Sequence, residues 1–450
     1  MNKLNVFIMS LYCAALCPPG AYAQETVRQV ISIDEMFALA DQNSKSLRPY
    51  TTGIHEAHEA VNVAKNARLP EIDASLSFSY LGDGYITDRN FSNGMNVPIP
   101  SFGNNFAVEV SQVIYSGGAI SAGIEIAKLQ ERNAQLGLET SRNNIRFQLV
   151  GYYLDLFKQQ NLLQVYEKNI EQTKQVLKDI QAKGNEGIVL KNDITRYELL
   201  LANLELARTQ IQNTITILNN NLITTLGLSD NIQIIPQMPD VGALRATPLQ
   251  QQPFLPIGNE QYWTNTADEN SPDLKRLSLA MEINQHQDKI IKSERLPKLA
   301  LFAGNHLDGP ITIEVPPINK NFNYWYAGIG VKYKVSSLYE TKKSANRHKF
   351  TIQRTKEQYD DAKEQTGLAI KADYIRYLES YKLVETQRIA SLLANQNYAV
   401  VSNRYKNDMA LITDMLDASN AQLSAEVQLS NAQINIVFNY YKLLYISGTL

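Results

Sequence analysis

The chain of 450 residues has two cysteines, Cys13 and Cys17, and none after them. Nothing beyond its first residues can therefore be held by a disulfide or by a thiolate metal site. Histidine is also scarce, with five in the chain. His55 and His58 lie three apart but not in the H-E-x-x-H order, and a solvated polar face accounts for them more simply than a metal. G-x-S-x-G, P-loop, paired-cysteine and dinucleotide fingerprints are missing, which argues against an enzyme and against a cofactor. Basic and acidic side chains nearly balance, 43 against 45, and no basic stripe suggests a nucleic-acid partner. Past the first 23 residues, no apolar run reaches the roughly 18 residues that a membrane-spanning helix needs.

What is present begins with a secretory signal. Lys3 supplies the positive start, residues 4–16 the apolar stretch, and Ala21-Tyr22-Ala23 the small-residue cleavage site. Lipidation at Cys17 is the alternative, but Leu16 stands where a small residue is wanted and Pro18-Pro19 follow. An exported chain without disulfides must be held by packing, and the remaining length suffices for that.

The body of the sequence is written twice. Asp193, Glu205, Leu222 and Gly227 recur as Asp414, Glu426, Leu443 and Gly448 at one offset of 221 (414 less 193), and Arg68-Leu69-Pro70 recurs as Arg295-Leu296-Pro297 at 227 (295 less 68). The chain divides into the signal (1–23), a first repeat (24–228), a linker with five prolines (229–259) and a second repeat (260–450). In the first repeat, residues 32–68 read as one amphipathic helical stretch stopped by Pro70. Ile72, Ala74, Leu76, Phe78 and Tyr80 then alternate with Asp73, Ser75, Ser77 and Ser79, a strand with one apolar face. A polar loop over 82–104 leads to a second strand around Phe106, Val108 and Val110, making a hairpin. Residues 119–183 contain no proline and three glycines, predicting a helix on the order of 100 Å long. Gly184 and Gly187 break it. A returning helix from about Asn192 carries heptad rows of Ile194, Leu201, Ile215, Leu222 and Tyr197, Leu204, Ile211, Leu218, an antiparallel coiled-coil hairpin. The second repeat follows the same plan, with strands around Leu299 to Ala303 and Trp325 to Tyr333, a long helix over 338–405 and a return over 413–447. The expectation is four strands and a great deal of helix.

Strands of about 10 residues with an apolar and a small-polar face suit a membrane barrel, with Tyr80, Tyr324, Trp325 and Tyr326 as an aromatic girdle in outer-membrane lipid. Four strands cannot close, so the chain must oligomerise if they enter a bilayer. A dimer would have eight strands and a trimer twelve.

In this order and spacing, the sequence resembles the TolC-type outer-membrane efflux proteins over essentially its whole mature length. The likeness is carried by Ile31-Ser32-Ile33-Asp34-Glu35-Met36-Phe37-Ala38-Leu39-Ala40 and by the Leu-Pro that ends a helix in each half. Tyr115-Ser116-Gly117-Gly118, Gly187 six residues before Asp193, and Tyr405 upstream of Asp414-Met415-Leu416-Asp417-Ala418 complete it. The resemblance implies a mainly α fold with a small β part: a homotrimer whose twelve-stranded outer-membrane β-barrel continues into a periplasmic α-helical barrel. It implies an outer-membrane channel of a tripartite efflux or type I secretion system, with a periplasmic adaptor and an inner-membrane pump as partners. It also implies that Asp414 and Asp417 form carboxylate rings at a periplasmic gate, that Asp193 and Tyr405 form a latch, and that the tip residues Gly184, Gly187, Ile188, Asp408 and Met409 contact the adaptor. Without it, Asp414 and Asp417 would read as a solvated helix start. The sequence departs from the family at Asp408 and Ala410, where a glycine and a latch arginine are expected, and at Ser336-Ser337-Leu338, where the first half has Tyr115-Ser116-Gly117-Gly118. A periplasmic coiled-coil adaptor or scaffold is the second reading.

Overall fold

The computed structural model describes residues 27–187, 189–237, 258–407 and 409–450. The signal segment with Cys13 and Cys17, the tip residues Ile188 and Asp408, and residues 238–257 of the linker lie outside the described residues.

The first repeat runs through β1 (Val27–Ile31), α1 (Ile33–Asn43), α2 (Arg48–Asn66), β2 (Glu71–Tyr80), β3 (Gly84–Ile86), β4 (Met95–Val97), β5 (Phe102–Tyr115), α3 (Ala119–Asn185), α4 (Lys191–Leu226) and β6 (Ile232–Pro236). The second has α5 (Glu260–Asn270), α6 (Pro272–Ser293), β7 (Lys298–Gly309), β8 (Phe322–Lys332), α7 (Ser337–Lys406) and α8 (Ile412–Ser447). The duplication is visible in the lengths. α1 and α5 have 11 residues each, and α4 and α8 have 36 each. Met36 and Ala40 are buried at the positions that Trp263 and Ala267 occupy in the second repeat. Both short helices also begin alike. Glu35 N–H donates to the Ser32 hydroxyl and Tyr262 N–H to the Asn259 side chain, each satisfying one of the orphan amides of a first turn.

The stretch predicted as one helix over 32–68 is two. α1 stops at Ser44, and α2 starts with Pro49 in its first turn, the one helical position where a missing N–H costs nothing. α5 and α6 divide in the same way at Ser271-Pro272. The strand expectation was also too sparse. β1 and β6 form a parallel pair, so the linker begins as a strand that returns to the start of the chain, and the polar loop carries the small β3–β4 hairpin. β5 reaches back to Phe102, into the predicted loop, because β2 continues to pair with it there, Ser79 opposite Gly103 and Tyr80 opposite Phe102.

Each long helix is flanked over its length by two shorter ones, α3 by α2 and α4, and α7 by α6 and α8. The widest core sits at the middle of α3. Leu149, Val150, Tyr153, Leu154 and Leu156 meet Ile31, Met36, Leu222, Leu226 and Ile234 there. Burying each aliphatic side chain contributes about 1.5–3 kcal/mol. A second core joins α5, α7 and α8 through Trp263, Ile370, Tyr377, Tyr381 and Leu443. The four longer strands form one antiparallel sheet in the order β2-β5-β7-β8, and its centre, β5 against β7, joins the two repeats.

Tyr153 ties the first core to the β1–β6 pair. Its hydroxyl donates to Ile31 C=O and accepts from Gln237 N–H, both at 2.7 Å. Burial pushes its pKa up to about 12. The ionised form is thus disfavoured in the folded state, so this stability is complete below pH 10 and is lost as pH rises from 10 to about 12. Tyr153→Phe should lower the urea midpoint by the equivalent of about 1–2 kcal/mol, by stranding two backbone groups, and should reduce the alkaline destabilisation. An unchanged midpoint would show that water replaces the hydroxyl.

Candidate functional site

The two helical hairpins reverse at tips of matching construction. α3 gives way at Gly187, whose φ of +76° a side chain would resist, and its N–H donates to Gly184 C=O at 3.0 Å. The extended residue Leu190 then starts α4. On the other tip, Met409 N–H donates to Arg404 C=O at 2.8 Å, and the extended Leu411 starts α8. Leu190, Met409 and Leu411 are all exposed. Both tips thus expose apolar side chains among charged ones such as Glu186, Lys191 and Lys406.

Behind them, Leu177, Ile180, Tyr197 and Ile412 form a small core against which Tyr405 and Leu416 pack. Burial pushes the Tyr197 phenol above its ordinary range, as does the neighbouring Tyr405. A cleft of about 370 Å³ opens beside this core, lined by Lys183, Asp193, Tyr405 and Ala410 among others. The fold thus brings Asp193 and Tyr405, over 200 positions apart in sequence, to one cleft. It adds Lys183, which sequence reasoning missed and whose ammonium lies 5.2 Å from the centroid of the Tyr405 ring, a cation–π contact. The available signal was a lysine in the last turn of α3, where the helix dipole favours a cation.

Asp414 and Asp417 are both exposed, on the side of α8 away from the buried Met415 and Ala418. One Asp414 oxygen accepts from Leu411 N–H at 3.0 Å. Asp414 is therefore a helix-start residue as well as a surface carboxylate, and Asp417 has only the second character.

The sheet has two chemically opposite faces. Cross-strand register puts Leu76, Phe106 and Leu307 on one side with Trp325, Ile329, Val331 and Tyr80. These are solvent-exposed in the single chain, Leu76 at 63%, Ile329 at 62% and Trp325 at 78%. Asp73, Ser77, Asn105, Glu109, His306 and Asp308 share the other side. Neighbours on a strand point to opposite faces, which corrects the girdle. Trp325 and Tyr80 belong to the apolar face, whereas Tyr324 and Tyr326 lie on the polar one, where both stack on His306.

The outer membrane efflux protein family matches residues 37–228, nearly all of the first repeat. Over 416 residues, the chain is 20% identical to outer membrane efflux protein BepC of Brucella suis, covering 91% of this chain and 84% of that protein. It is 18% identical over 442 residues to outer membrane protein TolC of Escherichia coli, with coverages of 94% and 84%. The crystal structure of the outer membrane protein VceC from Vibrio cholerae superposes with a TM-score of 0.72 at 14% identity, covering 92% of this chain and 96% of that one.

The two aspartates should separate in a stability measurement. Asp414→Ala removes the acceptor of the Leu411 N–H and should cost about 1 kcal/mol in urea unfolding, whereas Asp417→Ala should stay within about 0.5 kcal/mol of the parent. Equal effects would mean that the Asp414 bond contributes nothing net.

Proposed function

We propose that this chain, which belongs to the TolC-type outer-membrane efflux protein family, is the outer-membrane duct of an export system. It conducts substrates passively from an inner-membrane pump through the periplasm and the outer membrane. The observation that carries the reading is the four-stranded sheet. One of its faces is apolar and exposed, and its edge strands β2 and β8 have no neighbouring strand on their outer sides among the described residues. In hydrocarbon every backbone amide must be paired, at several kcal/mol for each that is not. The edges therefore pair with other copies, β8 of one against β2 of the next, and a homotrimer closes twelve strands around a water-filled lumen lined by the polar face.

The helices support the same assembly. Leu368, Ile375 and Ile389 on α7 recur at multiples of seven and are all exposed, as are Leu199 and Leu206 on α4. A heptad seam without a partner among the described residues fits a neighbouring helix. Side by side, helical hairpins built on α3 and α7, about 100 Å long, enclose a tube extending into the periplasm.

At the far end of that tube, Asp414 and Asp417 present two carboxylates per chain. In a trimer they crowd like charge at a constriction, which attracts cations from the lumen. Asp193, Tyr405 and Lys183 hold the tips together in the closed state, and with Ala410 in place of an arginine this latch is a weak one. The exposed tip residues Leu190, Met409 and Leu411, with Gly184, Gly187, Ile188 and Asp408, are where the periplasmic adaptor docks.

The purified protein should need detergent, measure as a trimer by detergent-corrected light scattering, and form cation-selective channels in planar bilayers. Asp414→Asn with Asp417→Asn should weaken selectivity and relieve block by multivalent cations added on the periplasmic side. A monomer soluble without detergent would overturn the duct. Unaltered selectivity and block in the double variant would overturn the gate alone.

A further inference from the structure

The polar face of the sheet carries a continuous ladder of rings. Phe322, Tyr324, His306, Tyr326 and Phe302 follow one another across β7 and β8, with neighbouring centroids 5.3, 5.3, 5.7 and 6.0 Å apart. Tyr324 and His306 are nearly parallel, at 13°. Part of the ladder has a plain structural explanation. Tyr326 crosses over Gly304, where a β-carbon would lie 2.7 Å from its ring, to donate to Glu109 at 3.2 Å, and Phe302 lies over Gly328 in the same way. Rings covering strand glycines stabilise sheets. That account stops at Phe322 and Tyr324. They stand opposite Asp308 and His306, cover no glycine, and remain 52% and 37% exposed on an otherwise polar surface.

The ladder's surroundings are acidic. Asp73 and Glu109 face each other directly across β2 and β5, an arrangement that repels. Asp308 accepts from Asn105 and, at 3.4 Å, from the Tyr324 hydroxyl. The Glu109 carboxylate, 53% exposed, lies 3.1 Å from His306 Nε2. The lysines of this face, Lys298 and Lys332, pair with each other at the helix end of the strands, away from the ladder. Exposed π faces beside carboxylates that no lysine or arginine among the described residues neutralises suit one kind of guest: a flat aromatic system that stacks, carrying a positive charge that the carboxylates and the rings both attract.

We propose that this ladder is a binding surface on the duct wall for planar aromatic cations in transit, with Phe322 and Tyr324 as the stacking platform and Glu109 and Asp308 as the charge partners. The inference rests on the reading of the polar face as the lumen. Strung along the strands, it offers a cation successive weak sites in place of one deep one, a condition for passage without trapping.

The test uses the full-length protein in planar bilayers, with ethidium as the probe added from the loop side of the sheet. Ethidium should block the current, and Phe322→Leu with Tyr324→Leu, which keep bulk and remove the π faces, should raise the half-blocking concentration at least tenfold. Glu109→Gln should raise it about threefold. Trp325→Phe, on the opposite face of the same strand, should leave it unchanged, and block by tetraethylammonium, a cation that cannot stack, should be the same in the parent and the double-leucine protein. A conducting channel whose ethidium block is indifferent to the leucine pair overturns the ladder and leaves the duct standing. A protein that forms no channel overturns both.

Discussion

A β-sheet inserted in lipid has nowhere to leave an unpaired amide, and that constraint shapes the whole molecule. β5 and β7 are satisfied on both sides, but among the described residues β2 and β8 each keep an open edge. A single chain is therefore an unfinished object. In the duct proposed above, closure through identical copies completes the hydrogen bonding of the sheet and at the same time sets the helical hairpins around a common axis, so that one requirement produces both the pore and the tube.

Duplication makes this economical. Two units with equal α1 and α5, equal α4 and α8, and matching buried positions at Met36 and Trp263 share one plan, and in the proposed duct they present similar surfaces at successive places around the ring. The units differ where they meet other things. The first carries the β1–β6 pair stapled by Tyr153, and the second carries the tyrosine cluster around Tyr377. At the tips, both hairpins turn through an extended leucine, Leu190 and Leu411, so the same local device serves both units.

Alternation in the strands divides the roles of side chains more finely than composition does. Tyr324, Trp325 and Tyr326 are one aromatic cluster on paper. On β8 they become an exposed indole on the apolar face between two rings stacked on a histidine in an acidic setting. Asp414 shows a similar overlap of roles, since the carboxylate assigned to a gate also satisfies the Leu411 amide. Removing that charge without removing the acceptor, as asparagine does, separates the two contributions.

The sequence by itself determined the duplicated plan, the two very long helices and their returns, and the four alternating strands, because these depend on local periodicity and on where proline and glycine interrupt it. The family resemblance also pointed to Asp193 and Tyr405 together, and the fold brings both to one cleft. Local pattern failed where a distant partner decides. β1 and β6 exist only because each pairs with a strand about 200 residues away. The division of α1 from α2 was readable from Pro49, a signal outweighed by the helical pattern around it. The cleft that unites Lys183, Asp193 and Tyr405, and the stack that threads His306 between two tyrosines, combine residues from separate elements. Only tertiary packing could place them, since nothing in a linear sequence states which helix end or which strand level will lie beside another.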